Sequence, residues 1–275
     1  RRRPQRFRSG NNADIKRVEE MPEEAWRILD LEYDDPYMNL AVEEAIPRKV
    51  GEGKVPNTVR FWRNLNAVVI GYFQSAKLEV NFEACRSLGI TISRRFTGGG
   101  AVYQDQGNLN YAISIRKGHR LIPEDLLETF KILSSGAVEG IRMLGLNAGF
   151  KPLSDIQVNG RKVSGAAGSM RWGTVFHHGS ILISSDLSIL SKVLSAPDRR
   201  LKDKHVRSVR KAVTTIRGEL GRDISVDEVK EKLRMGIEKA FKIKLVDGTI
   251  TREEKLLAEE LFQSKYSTEI WNLGR

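Results

Sequence analysis

The chain has 275 residues, 40% of them hydrophobic and 29% charged, with a formal charge of +11. That length buries a full core as one large domain, or as one domain with a small appendage. The single cysteine, Cys85, excludes an internal disulfide and a cysteine-rich metal cluster, and no apolar run approaches the ~20 residues needed to span a bilayer.

A charge of this sign admits nucleic acid, an acidic protein or plain solvation as its reason. Part of it sits in Arg1-Arg2-Arg3-Pro4-Gln5-Arg6-Phe7-Arg8. That segment has neither the apolar centre of a secretory signal nor the amphipathic pattern of a transit peptide. Residues 1–20 are therefore expected to be a disordered basic leader, and 21–275 the ordered domain. One cysteine fits a reducing interior, so a cytoplasmic location is expected.

Trp26 to Asp30 reads as an opening strand. Asp35-Pro36 then starts a helix, with Asp at the N-cap and Pro at the first helical position, and Met38, Leu40, Ala41, Ala45 and Ile46 give it an apolar face. Pro47 predicts a stop or a kink. Thr58–Trp62 and Ala67–Gln74 predict a hairpin turning at Asn64 to Asn66. Val68 to Phe73 is apolar on both faces, as in a central strand, and Gly71 inside it marks close approach by another group. Cys85 falls in the helical pattern of Asn81 to Leu88, a buried structural thiol.

Ile90 to Ser93 predicts a strand that ends at Arg94 and Arg95, and Leu109 to Ile115 a second one. Between them, Gly98, Gly99 and Gly100 can take positive φ and present bare N–H groups to a ligand. Such groups make an anion-binding concavity, and Arg95 at its lip is expected to hold a phosphate oxygen with a forked pair of bonds. No Gly-Lys-Ser/Thr follows and no G-x-G-x-x-G is present, so neither standard nucleotide loop applies.

From Pro123 a helix runs to about Gly145. Asn159-Gly160, between two alternating runs, predicts a two-residue hairpin. Strict alternation then places Lys162 and Ser164 on one side and Arg161 and Val163 on the other. Trp172 to Ile183 predicts another strand. Its adjacent His177 and His178 point to opposite faces, which argues against a shared metal ion. Ser185-Asp186 opens a short helix. Residues 199–211 are strongly basic, a solvated face or a docking surface. Ser225/Glu228 and Thr251/Glu254 read as capping boxes for closing helices at 225–241 and 251–264. Frequent hairpins without a βαβ rhythm predict an α/β (α+β) fold: a mixed, largely antiparallel sheet flanked by helices.

Arg94-Arg95-x-Thr97-Gly98-Gly99-Gly100-Ala101-Val102-Tyr103-x-Asp105-x-Gly107-Asn108 resembles the signature of lipoate–protein ligase A, in the biotin/lipoate ligase superfamily. Asn39 to Glu44 (Asn-Leu-Ala-x-Glu-Glu), Ile70-Gly71-x-x-Gln74, Gly160-x-Lys162-x-Ser164-Gly165-x-Ala167, His177-His178-Gly179 and the tail Lys265 to Asn272 extend the resemblance over residues 26–275. It implies a class II aminoacyl-synthetase/biotin-ligase-like domain. Gln104 stands where the family usually has His, and Ser154 where an Asn usually precedes Asp155. The sequence ends soon after Glu269-x-Trp271-Asn272, resembling the archaeal-type split ligase, whose accessory domain is a separate polypeptide.

The resemblance implies activation of lipoate by ATP to lipoyl-AMP and transfer of the lipoyl group to an acceptor lysine. Lys162 is the implied catalytic cation. Arg95, Gly100, Ala101, Val102, Tyr103, Lys162 and His178 are the expected nucleotide contacts. Gly71, Gly99, Asp155, Ser164 and Gly165 are the expected substrate contacts, along an apolar channel suited to an acyl chain. ATP and Mg2+ are implied, without identifiable metal ligands. Implied partners are the lipoyl domains of 2-oxoacid dehydrogenase E2 subunits, the glycine cleavage H protein and a separate accessory subunit, with no nucleic acid and no membrane. Two alternatives stand beside this reading. Octanoyl or lipoyl transferases of the same superfamily use a cysteine thioester near the lysine strand, where this chain has none. A non-enzymatic basic nucleic-acid-binding protein would leave both glycine stretches unexplained.

Overall fold

In the computed structural model residues 24–151, 155–195 and 213–274 are described. The expected leader at 1–20, Ser154 and the basic segment 199–211 lie outside them.

Strand β1 (Glu24–Asp30) is followed by helix α1 (Pro36–Gly51), whose Asp35 cap accepts the Tyr37 N–H at 2.8 Å. Pro47 does not stop this helix, which corrects the first of the two outcomes expected from sequence, a stop or a kink. Asn39 to Pro47 is buried without a break, and packing on that scale outweighs the ~3 kcal/mol that an interior proline costs.

The next two strands, β2 (Thr58–Trp62) and β3 (Asn66–Ile70), are not the expected hairpin. They belong to different sheets. Asn64 is 1% exposed rather than a solvent-facing turn residue. Its side chain accepts from Asn39 at 2.8 Å and donates to Gln104 at 2.6 Å, carrying the chain from one sheet to the other.

Short helices α2 (Ala76–Glu79) and α3 (Phe82–Ser87) lead into β4 (Thr91–Arg94), β5 (Val102–Asp105) and β6 (Asn108–Arg116). Helix α4 (Leu126–Met143) precedes β7 (Ala148–Lys151), β8 (Asp155–Val158), β9 (Arg161–Arg171) and β10 (Thr174–Leu182). Then come α5 (Leu187–Val193), α6 (Ile216–Leu220), α7 (Val226–Phe241), β11 (Ile243–Asp247), α8 (Arg252–Leu261) and α9 (Glu269–Leu273).

The large sheet runs β11-β1-β2-β6-β10-β9-β8-β7, and the small one β4-β3-β5. In the large sheet only the β11–β1 and β1–β2 pairs are parallel, so the expected mixed, largely antiparallel sheet is what forms. β3 is central in its sheet, as its two-sided apolarity requires.

Helices α4 and α7 cover one face of the large sheet over a core that includes Leu133, Ile141, Val163, Leu233 and Ile237. The glycines that weaken α4 as an isolated helix are its contact with α7: a Cβ on Gly140 would stand 2.8 Å from the Leu233 Cα. Helix α1 packs with Ala67 and Val69 of the small sheet and with α8 in a second core. Of the two expected capping boxes, Thr251–Glu254 is complete. At Ser225 the cap bond forms, but the Glu228 carboxylate turns away to Arg222 at 2.7 Å.

Candidate active site

The two glycine stretches face each other across the gap between the sheets. A Cβ on Gly99 would lie 3.6 Å from the Ala167 side chain of β9. Residues 98–101 and 165–169 are all half-buried, leaving bare backbone on both walls.

Arg95 does not sit at the lip of this loop. It is 5% exposed and lies under it. Its Nε donates to Thr97 Oγ1 and Gly98 O, both at 3.1 Å, and its terminal nitrogens to Val69 O at 3.2 Å, Gly98 O at 2.7 Å and Gly100 O at 2.8 Å. Burial lowers its pKa to about 10, opposed by the nearby Glu43 charge. A planar trans peptide points its C=O and N–H in opposite directions. With the Gly98 and Gly100 carbonyls drawn down to the guanidinium, the N–H groups of Gly99 and Ala101 point away from it. Arg95 therefore orients the backbone of the glycine loop, and its guanidinium is engaged by carbonyls rather than standing free at the lip for the forked contact expected of it. Arg94 works the same way on the neighbouring turn, donating to the carbonyls of Gly71, Gln74 and Trp271.

On the opposite wall Lys162 is paired with Asp155 at 2.8 Å, with the lysine side chain 29% and the aspartate 2% exposed. The lysine folds over Gly165, where a Cβ would stand 2.7 Å from Nζ. The register between β8 and β9 shifts at this point, so β9 carries one extra residue. Strict alternation fails across it. Val163 enters the helix-covered core, and Ser164 lies beside the buried Tyr111 phenol instead of next to Lys162.

His178 and His177 diverge as adjacent strand residues must. His177 is buried against Phe130 and Tyr111, and burial lowers its pKa to about 3. His178, 8% exposed, reaches beneath the glycine loop, with Nε2 2.7 Å from Thr97 Oγ1 and Nδ1 2.5 Å from Glu43 Oε1. It supports the loop from below rather than lining the space above it.

The structure thus groups Lys162, Asp155 and Gly165 on the β9 wall, whose Ala167 meets Gly99 of the glycine loop. Arg95, His178 and Gly71 stand behind that surface, while Val102 opens β5 at its edge, half-buried. The Tyr103 side chain points away into the core beneath the small sheet, 3% exposed, its hydroxyl donating to Asn66 at 2.9 Å, which leaves only its backbone for the expected contact. Gln104 is buried in an amide network, donating to Asn110 at 2.8 Å and Ser180 at 3.0 Å. Glu43 went unassigned from sequence. Its signal was a Glu-Glu pair in an otherwise apolar stretch of α1, where a buried carboxylate needs partners.

A glycine loop on one wall and a lysine ammonium on the other are the kinds of group that suit a phosphoryl or acyl-phosphate oxygen. For a metal ion, no group of three or more His, Cys, Asp or Glu among the described residues forms a cage. No described helix is long and apolar enough to cross a membrane.

The family described as "Lipoyl protein ligase A/B catalytic domain" matches residues 35–238. The lipoate-protein ligase A subunit 1 of Thermoplasma acidophilum is 38% identical over 247 residues, covering 86% of this chain and 92% of the relative. The octanoyltransferase LipM of Brevibacillus brevis is 36% identical over 276 residues, covering 92% and 100%. Among solved structures, that of a bi-partite lipoate protein ligase and its E2 lipoyl domain from Thermoplasma acidophilum superposes with a TM-score of 0.80 at 38% identity, covering 91% and 97% of the two chains. A lipoate-protein ligase A bound with ATP superposes at 0.79 with 36% identity, covering 91% and 99%. The chain belongs to the lipoyl protein ligase A/B catalytic-domain family and is an enzyme of the lipoate ligase and transferase superfamily.

Proposed function

We propose that this chain is an ATP-dependent lipoate–protein ligase. In the first step a lipoate carboxylate oxygen bonds to the α-phosphorus of ATP and pyrophosphate leaves. In the second, the amine of an acceptor lysine bonds to the acyl carbon, AMP leaves, and the amine gives up its proton. Neither step needs an enzyme nucleophile. Both place negative charge on phosphoryl or carbonyl oxygens, which a fixed cation and oriented N–H donors stabilise. Lys162 is the cation, held by Asp155. Gly99 and Ala101 supply the donors, oriented by Arg95.

The observation that carries this reading over the transferase is the position of the only thiol. Cys85 is 1% exposed in α3, among Val68, Ile70 and Val80, and burial raises its pKa. A thioester near β9 has no sulfur to form on. The relative named as an octanoyltransferase keeps transfer from an octanoyl carrier as the second reading.

The names of the Thermoplasma relatives, a ligase subunit and a bi-partite ligase with its E2 lipoyl domain, support two partners here: a lipoyl-domain acceptor and a separate accessory subunit. An H protein is the other acceptor to offer.

Acceptor lipoylation, read as a mass shift, tests this with three donors in parallel: free lipoate with ATP and magnesium, preformed lipoyl-AMP, and octanoyl carrier protein. Modification from lipoyl-AMP alone supports a ligase half needing its partner, and modification from both lipoate donors a self-sufficient ligase. Modification from octanoyl carrier protein alone would replace the ligase with the transferase.

A further inference from the structure

We infer that Glu43, His178 and Thr97 form a buried positioning chain that aims the anion-binding N–H groups through Arg95. The inference rests on the reading that this loop receives the phosphoryl group of an adenylate.

A guanidinium only donates and a carboxylate only accepts. Arg95 Nε–H donates to Thr97 Oγ1 at 3.1 Å, and the same oxygen is hydrogen-bonded to His178 Nε2 at 2.7 Å. His178 Nδ1–H then donates to Glu43 Oε1 at 2.5 Å. Thr97 and Glu43 are each 1% exposed, so the links lie out of bulk water. The same Arg95 side chain holds the carbonyls of Gly98 and Gly100. Each link fixes the next, and the last fixes which way two peptide planes face.

Hydroxyl, imidazole and carboxylate in this order are also the parts of an acyl-transfer triad. Here the hydroxyl oxygen is buried and already accepts from Arg95, so no acyl carbon can approach it. The Thr97 carbonyl is likewise occupied by the Tyr72 N–H at 2.8 Å. The arrangement positions the loop and does not attack substrate.

The test measures binding by calorimetry of free lipoate and of an unreactive lipoyl-adenylate with a methylene in place of the bridging anhydride oxygen. Thr97→Val keeps the side-chain shape and removes the hydroxyl. It should bind the analogue about tenfold or more weakly, as loss of charge-assisted donors predicts, while lipoate affinity changes less than about twofold. Thr97→Ser, which restores the hydroxyl, should restore binding. His178→Gln, whose amide still reaches Thr97, should retain more analogue affinity than the shorter His178→Asn, and this pair decides the matter if Thr97→Val does not fold. Analogue binding by Thr97→Val equal to that of the unsubstituted chain would overturn the inference and leave the ligase reading standing, as would an acyl adduct on Thr97 in the intact mass. Failure of the unsubstituted chain to bind the analogue would overturn the ligase reading, and this inference with it.

Discussion

Gly71 lies directly beneath the carbonyl of Gly99: a Cβ at position 71 would stand 2.1 Å from that oxygen. The glycine expected to admit a ligand admits the glycine loop itself, and the loop's height above the β9 wall is set by it. Gly71→Ala must lift the loop. A loss of about 1–3 kcal/mol in urea unfolding is expected, as for overpacking elsewhere, with at least a tenfold fall in transfer from lipoyl-AMP. Unchanged transfer would mean that the seat of the loop is not required.

Lys162→Ala removes the cation facing the loop. Transfer from preformed lipoyl-AMP should fall by about 10²–10³, as when one electrostatic stabiliser is removed from an acyl-transfer site. Lys162→Arg keeps the charge but not the compact ammonium and should recover only part of the rate. Steady-state kinetics decide it, and an alanine variant with full transfer activity would end the Lys162 assignment.

Arg27 on β1 and Glu254 on α8 form a two-pronged ion pair, at 2.5 and 2.9 Å, with the carboxylate fully buried. Replacing one partner leaves the other charge desolvated. Glu254→Ala should cost about 3–5 kcal/mol in chemical unfolding. A loss below about 1 kcal/mol would show that the pair does not hold α8 against β1.

At the α4–α7 crossing a Cβ on Gly236 would stand 2.3 Å from the Gly140 N. Two effects compete in Gly236→Ala: alanine gains about 1 kcal/mol of helix propensity, and forcing two close-packed backbones apart costs about 1–3 kcal/mol. The contact is backbone to backbone and cannot yield by rotating a side chain, so net destabilisation is expected. A rise in Tm would contradict it.

Glu44 supplies a pH dependence. Burial raises its pKa, but hydrogen bonds from Lys265 and Tyr266 and the charges of Lys265 and Arg48 lower it further, leaving it below the ordinary 4.5. A depressed folded-state value stabilises the fold above the unfolded pKa, and that contribution is lost as pH falls through the folded one. Relative to Glu44→Gln, the unsubstituted chain should therefore lose an extra increment of stability below about pH 4.5, read from urea midpoints at several pH values. Parallel curves would remove Glu44 as the anchor of the C-terminal turn.

Features set within a few residues were legible in the sequence. Asp35 caps α1, Asn159 and Gly160 take the positive φ values (50° and 75°) of a two-residue turn, and the two histidines of β10 face apart. Each follows from backbone sterics or strand periodicity, which need no knowledge of the partner. The glycine loop stood out as backbone without side chains, and the lysine strand through its resemblance to the family pattern around Lys162.

What failed in the sequence reading involved a choice of partner. β2 and β3 are neighbours along the chain, yet each pairs elsewhere, because buried Asn64 makes its bonds to Asn39 and Gln104. Lys162 and Ser164 part company because one extra residue in β9 reverses the alternation beyond it. Arg95 turns inward because the carbonyls of its own loop reach it first. By itself the sequence determined most local conformations, the family and the two stretches that form the walls, since those rest on sterics and on residue identity. Only the tertiary structure decided which buried donors and acceptors meet, because desolvated polar groups must find partners and these lie far off along the chain, as Glu43 and His178 do for Thr97.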